Sequence, residues 1–149
     1  MGKIRSQNLF SIVFYEQDGY NKDRNKSKKG GADHGKIEDM NLRKMLLELE
    51  EMLQRVYGNK LKAVILYGSV ARGTATEESD IDIMVLIDGT AQELRAFEDQ
   101  LSDVSTDISI KYFKVFSIID ISYQEYMQWM NTLPFYKNVS QEGVVLYAA

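Results

Sequence analysis

Two strand-length apolar runs, Leu61–Tyr67 and Ile81–Ile87, bracket a stretch of small and polar residues in KAVILYGSVARGTATEESDIDIMVLI. Runs of this length, nearly continuous in apolar side chains, read as strands buried on both faces. The first ends in Gly68 and Ser69. The second is preceded by Asp80 and carries Asp82 near its start. The pattern therefore sets a small-residue turn after one strand and two carboxylates at the mouth of its neighbour.

Helical periodicity surrounds this pair. Leu42, Met45, Leu46, Leu49, Met52, Leu53 and Val56 recur at steps of three and four, which predicts an amphipathic helix from Asn41 to Tyr57, stopped at Gly58 and Asn59. Thr90 followed by Glu93 has the spacing of a capping box, so a helix is expected from there to about Leu101. The alternation in DISIKYF predicts a third strand over 107–113. Ser122 with Glu125 marks another helix start, Pro134 interrupts the pattern with a short turn or helix following through Val139, and Gly143 precedes an apolar tail, VVLYA. The expected architecture is α/β (α+β), a mixed sheet with packed helices.

The chain has 149 residues and is 44% hydrophobic, enough for one modest core. It has no cysteine, which excludes a disulfide framework and thiolate metal sites. No apolar run approaches the ~20 residues of a membrane helix, and the first residues lack the form of a signal peptide. A cytoplasmic location is expected. Residues 1–36 hold 8 Lys/Arg against 4 Asp/Glu, whereas the rest hold 10 against 18. An acidic body argues against broad nucleic-acid binding and suits a basic protein partner.

Residues 1–39 read as an N-terminal extension, native or not, and 40–149 as the folded domain. Within the extension, Leu9 to Tyr15 is strand-like and 20–36 is a polar, basic linker. His34 lies in that linker without a ligand pattern, and the lysines from Lys26 to Lys29 read as solvated. Trp129, Tyr136 and Tyr147 are core residues or anchors for a partner.

The chemistry follows from side-chain direction. Positions i and i+2 of a strand point the same way, so Asp80 and Asp82 share one side, and adjacent carboxylates repel unless a proton or cation intervenes. Mg²⁺ prefers oxygen ligands together with substrate phosphates. A third acid, Asp107 at the expected strand start, would complete a site for two metals ~3.5–4 Å apart, the arrangement that supports in-line phosphoryl transfer. Gly68 permits close phosphate approach. Ser69 offers its hydroxyl and backbone N–H, at the start of a short helix that favours anions. Arg72 offers a further donor to phosphates, or a salt bridge to nearby acids.

Gly68-Ser69, ten residues, then Asp80-Ile81-Asp82 resembles the signature of the nucleotidyltransferase superfamily with a DNA polymerase beta type of palm. The fuller GSVARGTATEESDIDIMVL is similar to its minimal nucleotidyltransferase (MNT) branch, the antitoxins that pair with HEPN-domain toxins, over roughly 41–147. The resemblance implies a polymerase beta-like fold and Mg²⁺-dependent transfer of a nucleoside monophosphate from a nucleoside triphosphate. It implies Gly68 and Ser69 as the phosphate turn, Asp80 and Asp82 as metal ligands, and Asp107 as the third acid, which helps activate the acceptor hydroxyl. It further implies ATP as donor and a tyrosine of a HEPN toxin as acceptor. Two alternatives stand beside this: an antitoxin that acts by binding alone, and a small-molecule nucleotidyltransferase such as an antibiotic modifier. Homo-oligomerisation is left open.

Overall fold

A computed structural model describes Ile37 and residues 39–149. The strand expected at Leu9 to Tyr15, the basic linker and His34 lie outside the described residues.

The first helix among the described residues, α1, runs Met40–Tyr57. Asp39 caps it, its carboxylate accepting the N–H groups of Asn41 at 2.8 Å and Leu42 at 3.2 Å. Such a cap stabilises a helix by about 1 kcal/mol. A boundary drawn between residues 39 and 40 would sever it. Leu46, Leu49 and Leu53 are fully buried, on the stripe that the periodicity predicts. Gly58 ends the helix, its N–H donating to the Gln54 carbonyl.

Strand β1 follows (Leu61–Tyr67), then the short helix α2 (Gly68–Arg72), a loop, and β2 (Ile81–Ile87). The chain continues through α3 (Ala91–Leu94), a 3₁₀ turn, α4 (Glu98–Tyr112) and β3 (Phe116–Ser122). It closes with α5 (Tyr123–Trp129), α6 (Pro134–Glu142) and β4 (Val144–Ala148). The Thr90–Glu93 capping box is formed in both directions, at 3.2 and 3.0 Å. Pro134 opens α6 at its first turn, where a missing N–H costs nothing.

The strands order as β3-β2-β1-β4. β1 pairs antiparallel with β2 and with β4, whereas β2 and β3 are parallel, so the sheet is mixed, as expected. A parallel neighbour requires a crossover, and α4 supplies it. One face of the sheet, with Val64, Leu66, Ile83, Val85 and Phe116, packs on α1 and α4. The other is covered by α5, against β2 and β3, and by α6, against β1. Tyr126, Met130, Tyr136 and Val139 are buried in that second layer. Tyr136 is thus a core residue, Tyr147 is partly buried against the core, and Trp129 is 38% exposed.

The strand expected over 107–113 is the end of α4. Ile108 is 1% exposed and Ile110 67%. Residues on one face of a strand would share a fate, so the alternation of Ile108 and Ile110 is incidental. Leu101, Val104 and Ile108 are the buried set, at steps of three and four. α4 ends in Phe113, whose φ of 51° and ψ of 38° lie in the left-handed region. It is the one non-glycine residue with positive φ among those described, and that conformation costs about 1–2 kcal/mol.

The third strand carries Asp120 on the α1 side, opposite Val85. The Tyr57 hydroxyl donates to its carboxylate at 2.9 Å. Burial raises the Asp120 carboxyl above its ordinary range; the bond from Tyr57 lowers it and Glu98 raises it. A raised carboxyl favours the folded state fully below the unfolded carboxylate range, and that contribution is lost as pH rises through the folded value. Charged Asp120 is therefore a cost at neutral pH. Asp120→Asn, whose amide oxygen can accept the same bond, should stabilise the protein at pH 7 by about 0.5 kcal/mol after allowing for solvent screening. Thermal melts should show the gap between variant and wild type closing as pH falls into the range where Asp120 takes up its proton.

Candidate active site

The turn from β1 into α2 is built around a close approach. Gly68 has φ of +74°, a conformation that favours glycine. A Cβ placed on it would lie 2.3 Å from Oδ2 of Asp82. The antiparallel register sets this up, pairing Tyr67 with Asp82. Ser69 is the next residue of α2, whose last turn holds Arg72. Gly68, Ser69, Arg72, Asp80 and Asp82 thus meet at one end of the β1–β2 pair.

The two carboxylates differ in setting. Asp80 is exposed and Asp82 half-buried. Burial raises the Asp82 carboxyl, Asp80 raises it further, and Arg72 lowers it. Among the described residues, no hydrogen bond to either carboxylate is formed. Arg72 reaches to Glu142 at the end of α6, Nη1 to Oε2 at 3.4 Å, so its salt bridge is to an acid remote in sequence. Tyr67 lines the same edge, and its hydroxyl is raised by burial and by Asp82. Its ring meets Phe135 edge-on at 5.6 Å.

Asp107 does not join this group as expected. It is exposed within α4 rather than at a strand start, because the residues around it follow the helical period. Among the described residues no three acids gather in a way that could hold a metal ion. The residue facing Asp82 across the β2–β3 pair is Ser117. Sequence reasoning missed Ser117, Tyr67 and Glu142. Tyr67 was signalled by its place directly before Gly68. Ser117 could be found only with β3 in register, and Glu142 only with α6 in place.

The donor set fits a hard cation. Asp80 and Asp82 supply only carboxylate oxygens, and their repulsion together with the desolvation of Asp82 is what a cation would relieve. The N-terminal turn of α2 and Ser69 adjoin these oxygens, where phosphates accompanying such a cation would sit.

Residues 48–149 match the family model described as "Polymerase beta, Nucleotidyltransferase", which covers more than half of the chain. The chain belongs to the polymerase beta nucleotidyltransferase family. This nucleotidyltransferase is 37% identical over 108 residues to the Methanocaldococcus jannaschii protein named "Putative protein adenylyltransferase MJ0604", covering 72% of this chain and all of that one. It is also 37% identical over 75 residues to "Putative protein adenylyltransferase MJ0128" of the same organism, across 47% of this chain and 74% of the other. A solved structure described as "Crystal structure of the toxin-antitoxin with AMP-PNP" aligns at 20% identity with a TM-score of 0.46, covering 71% of this nucleotidyltransferase and 73% of that chain. No helix among the described residues is long and apolar enough to cross a membrane.

Gly68→Ala should displace the Asp82 carboxylate and strain the turn. A 1 Å misplacement at a reacting centre costs about 100-fold in rate, and the backbone strain costs about 1–2 kcal/mol. Nucleotidyl transfer should therefore fall by about 100-fold or more, with a modest drop in thermal stability. Turnover assays and melts on the purified variant measure both.

Proposed function

We propose that this nucleotidyltransferase is a Mg²⁺-dependent protein adenylyltransferase of the antitoxin kind, moving AMP from ATP to a tyrosine hydroxyl of a HEPN-domain toxin. The observation that carries the transfer chemistry is the contact of the Gly68 turn with Asp82. It brings the turn proposed to hold phosphates against one of the two carboxylates. Support for a protein acceptor comes from the full-length match to a relative named as a protein adenylyltransferase. The HEPN partner and the tyrosine rest on the resemblance of the GSVARGTATEESDIDIMVL segment to the MNT antitoxins.

In this reading Asp80 and Asp82 hold Mg²⁺, which would neutralise charge on the triphosphate and polarise the α-phosphorus. Ser69 and the first N–H groups of α2 hold the phosphates beyond the point of cleavage, and Arg72 adds a cationic donor. The acceptor oxygen forms a bond to the α-phosphorus as the bond from that phosphorus to the bridging oxygen breaks. Pyrophosphate leaves with the electron pair. The hydroxyl proton passes to water at the open mouth, since Ser117, across from Asp82, is no base at neutral pH.

That same serine favours a second reading, an antitoxin that binds its toxin and blocks it without modification. Intact-mass analysis of a HEPN-domain protein mixed with this chain, ATP and Mg²⁺ separates the two. Whole AMP units should appear on the acceptor. Asp80→Asn with Asp82→Asn should reduce transfer by at least about 1000-fold, given the weight of metal-centred electrostatics in such chemistry. The double variant should stay folded and melt no lower than wild type at pH 7, because it removes two repelling charges and a raised carboxyl. Complex formation without any mass change would support occlusion. Undiminished transfer by the folded double variant would overturn the assignment of both carboxylates.

A further inference from the structure

The turn from α4 to β3 turns apolar side chains outward. Phe113 is 93% exposed, Ile110 67% and Val115 58%. Phe113 also holds the left-handed backbone conformation noted above, so its φ costs stability while its ring, hydrated in folded and unfolded chain alike, contributes almost nothing in return. Among the described residues nothing offsets this, because almost none of the ring is covered. The turn is nevertheless firmly held. The Phe113 N–H donates to the Ser109 carbonyl, and Ser109 Oγ accepts from the Phe116 N–H at 3.1 Å. Lys114 Nζ donates to the Glu77 carbonyl at 3.1 Å. The Val115 carbonyl accepts from the Ile81 N–H at 2.8 Å.

Those last two bonds tie the turn to the loop that delivers Asp80. Ile81 stands between Asp80 and Asp82, so Val115 is one hydrogen bond from the segment holding both carboxylates. A protein whose hydroxyl reaches this mouth can rest on the turn beside it, whereas a small acceptor has no need of a surface here. Beside the turn, Glu77, Glu78 and Asp80 are exposed acids set against Lys114, while Lys111 is paired with Glu48, so a basic rim on the visitor would suit. We propose that Phe113, with Val115 and Ile110, is the docking element for the protein acceptor. Phe113 enters an apolar pocket on that acceptor, edged by basic side chains and close to the hydroxyl that receives the nucleotide. Aromatic side chains commonly anchor interfaces in this way. Phe113 acts by holding the acceptor and takes no part in the bond changes.

The inference rests on the protein-acceptor reading, and one experiment tests each separately. Full-length wild type, Phe113→Gly and Phe113→Leu are compared with Mg-ATP and a purified HEPN-domain protein as acceptor. For Phe113→Gly the KM for the acceptor should rise about tenfold, the size of effect expected on losing an interface anchor. Its kcat should stay within about twofold and its Mg-ATP affinity should be unchanged. Its Tm should rise by about 4 °C as the backbone strain is relieved. Phe113→Leu should keep the KM within about threefold of wild type. A residue with only a structural role would not raise stability and weaken acceptor binding together. Equal acceptor KM for wild type and Phe113→Gly, with transfer intact, overturns the docking proposal alone. No transfer by wild type overturns the protein-acceptor reading and the proposal with it. A fall in Tm would show that the Phe113 ring stabilises the chain's own fold. Conversion of a homodimer to monomer by Phe113→Gly would assign the surface to a second copy. Either result overturns the proposal.

Discussion

Everything chemical in this domain depends on the pairing of Tyr67 with Asp82 across two antiparallel strands. That register brings the Asp82 carboxylate against the Cα of Gly68, within a distance no side chain would tolerate. A slip by one residue would turn Asp82 into the apolar layer and Ile81 or Ile83 out of it. Register is fixed because β1 and β2 are buried on both faces through most of their length. The core residues beneath α1 and α4 therefore do more than stabilise the fold. They hold a carboxylate in line with a turn.

The local electrostatics are unbalanced. Asp82 is pushed towards its neutral form by burial and by Asp80, with only Arg72 opposing. Arg72 is shared with Glu142, so the mouth has more negative charge than the described residues neutralise. A site in this condition is poised for a cation, and the cation brings an anion of its own. On the other face of the sheet, the Asp120 carboxyl is likewise raised by burial. Its charge is met by the Tyr57 hydroxyl and a backbone hydrogen bond, in a place with no turn and no second carboxylate on the strand.

Legibility in the sequence followed how local each signal was. The strands flanking the turn, the α1 stripe and the Thr90–Glu93 box all rest on neighbours within a few residues. Each appears in the fold as read. The third strand did not. FSIIDIS contains an acid in its centre, and the distant Tyr57 hydroxyl helps make that acid tolerable there. DISIKYF meanwhile alternates by chance, and its helical period emerges only when Leu101 and Val104 are counted with Ile108. Asp107 was drawn into the site by that mistaken strand. Glu142 and Ser117 reach the site through packing and pairing far along the chain, which no local pattern announces.

The proposed phosphate turn and both carboxylates come from one contiguous stretch, β1 through the start of β2. This has a consequence for the order of folding. The strands on either side of the turn close a short loop and pair antiparallel, so their contact carries a small entropic cost. β3 can join only after the long crossover through α4 has been laid down, and parallel pairing of that kind is slow. As the chain emerges from synthesis, the geometry around Gly68 and Asp82 can therefore form before the elements that cover it. The mouth would be assembled first, and α5, α6 and β4 would close around a site already in register.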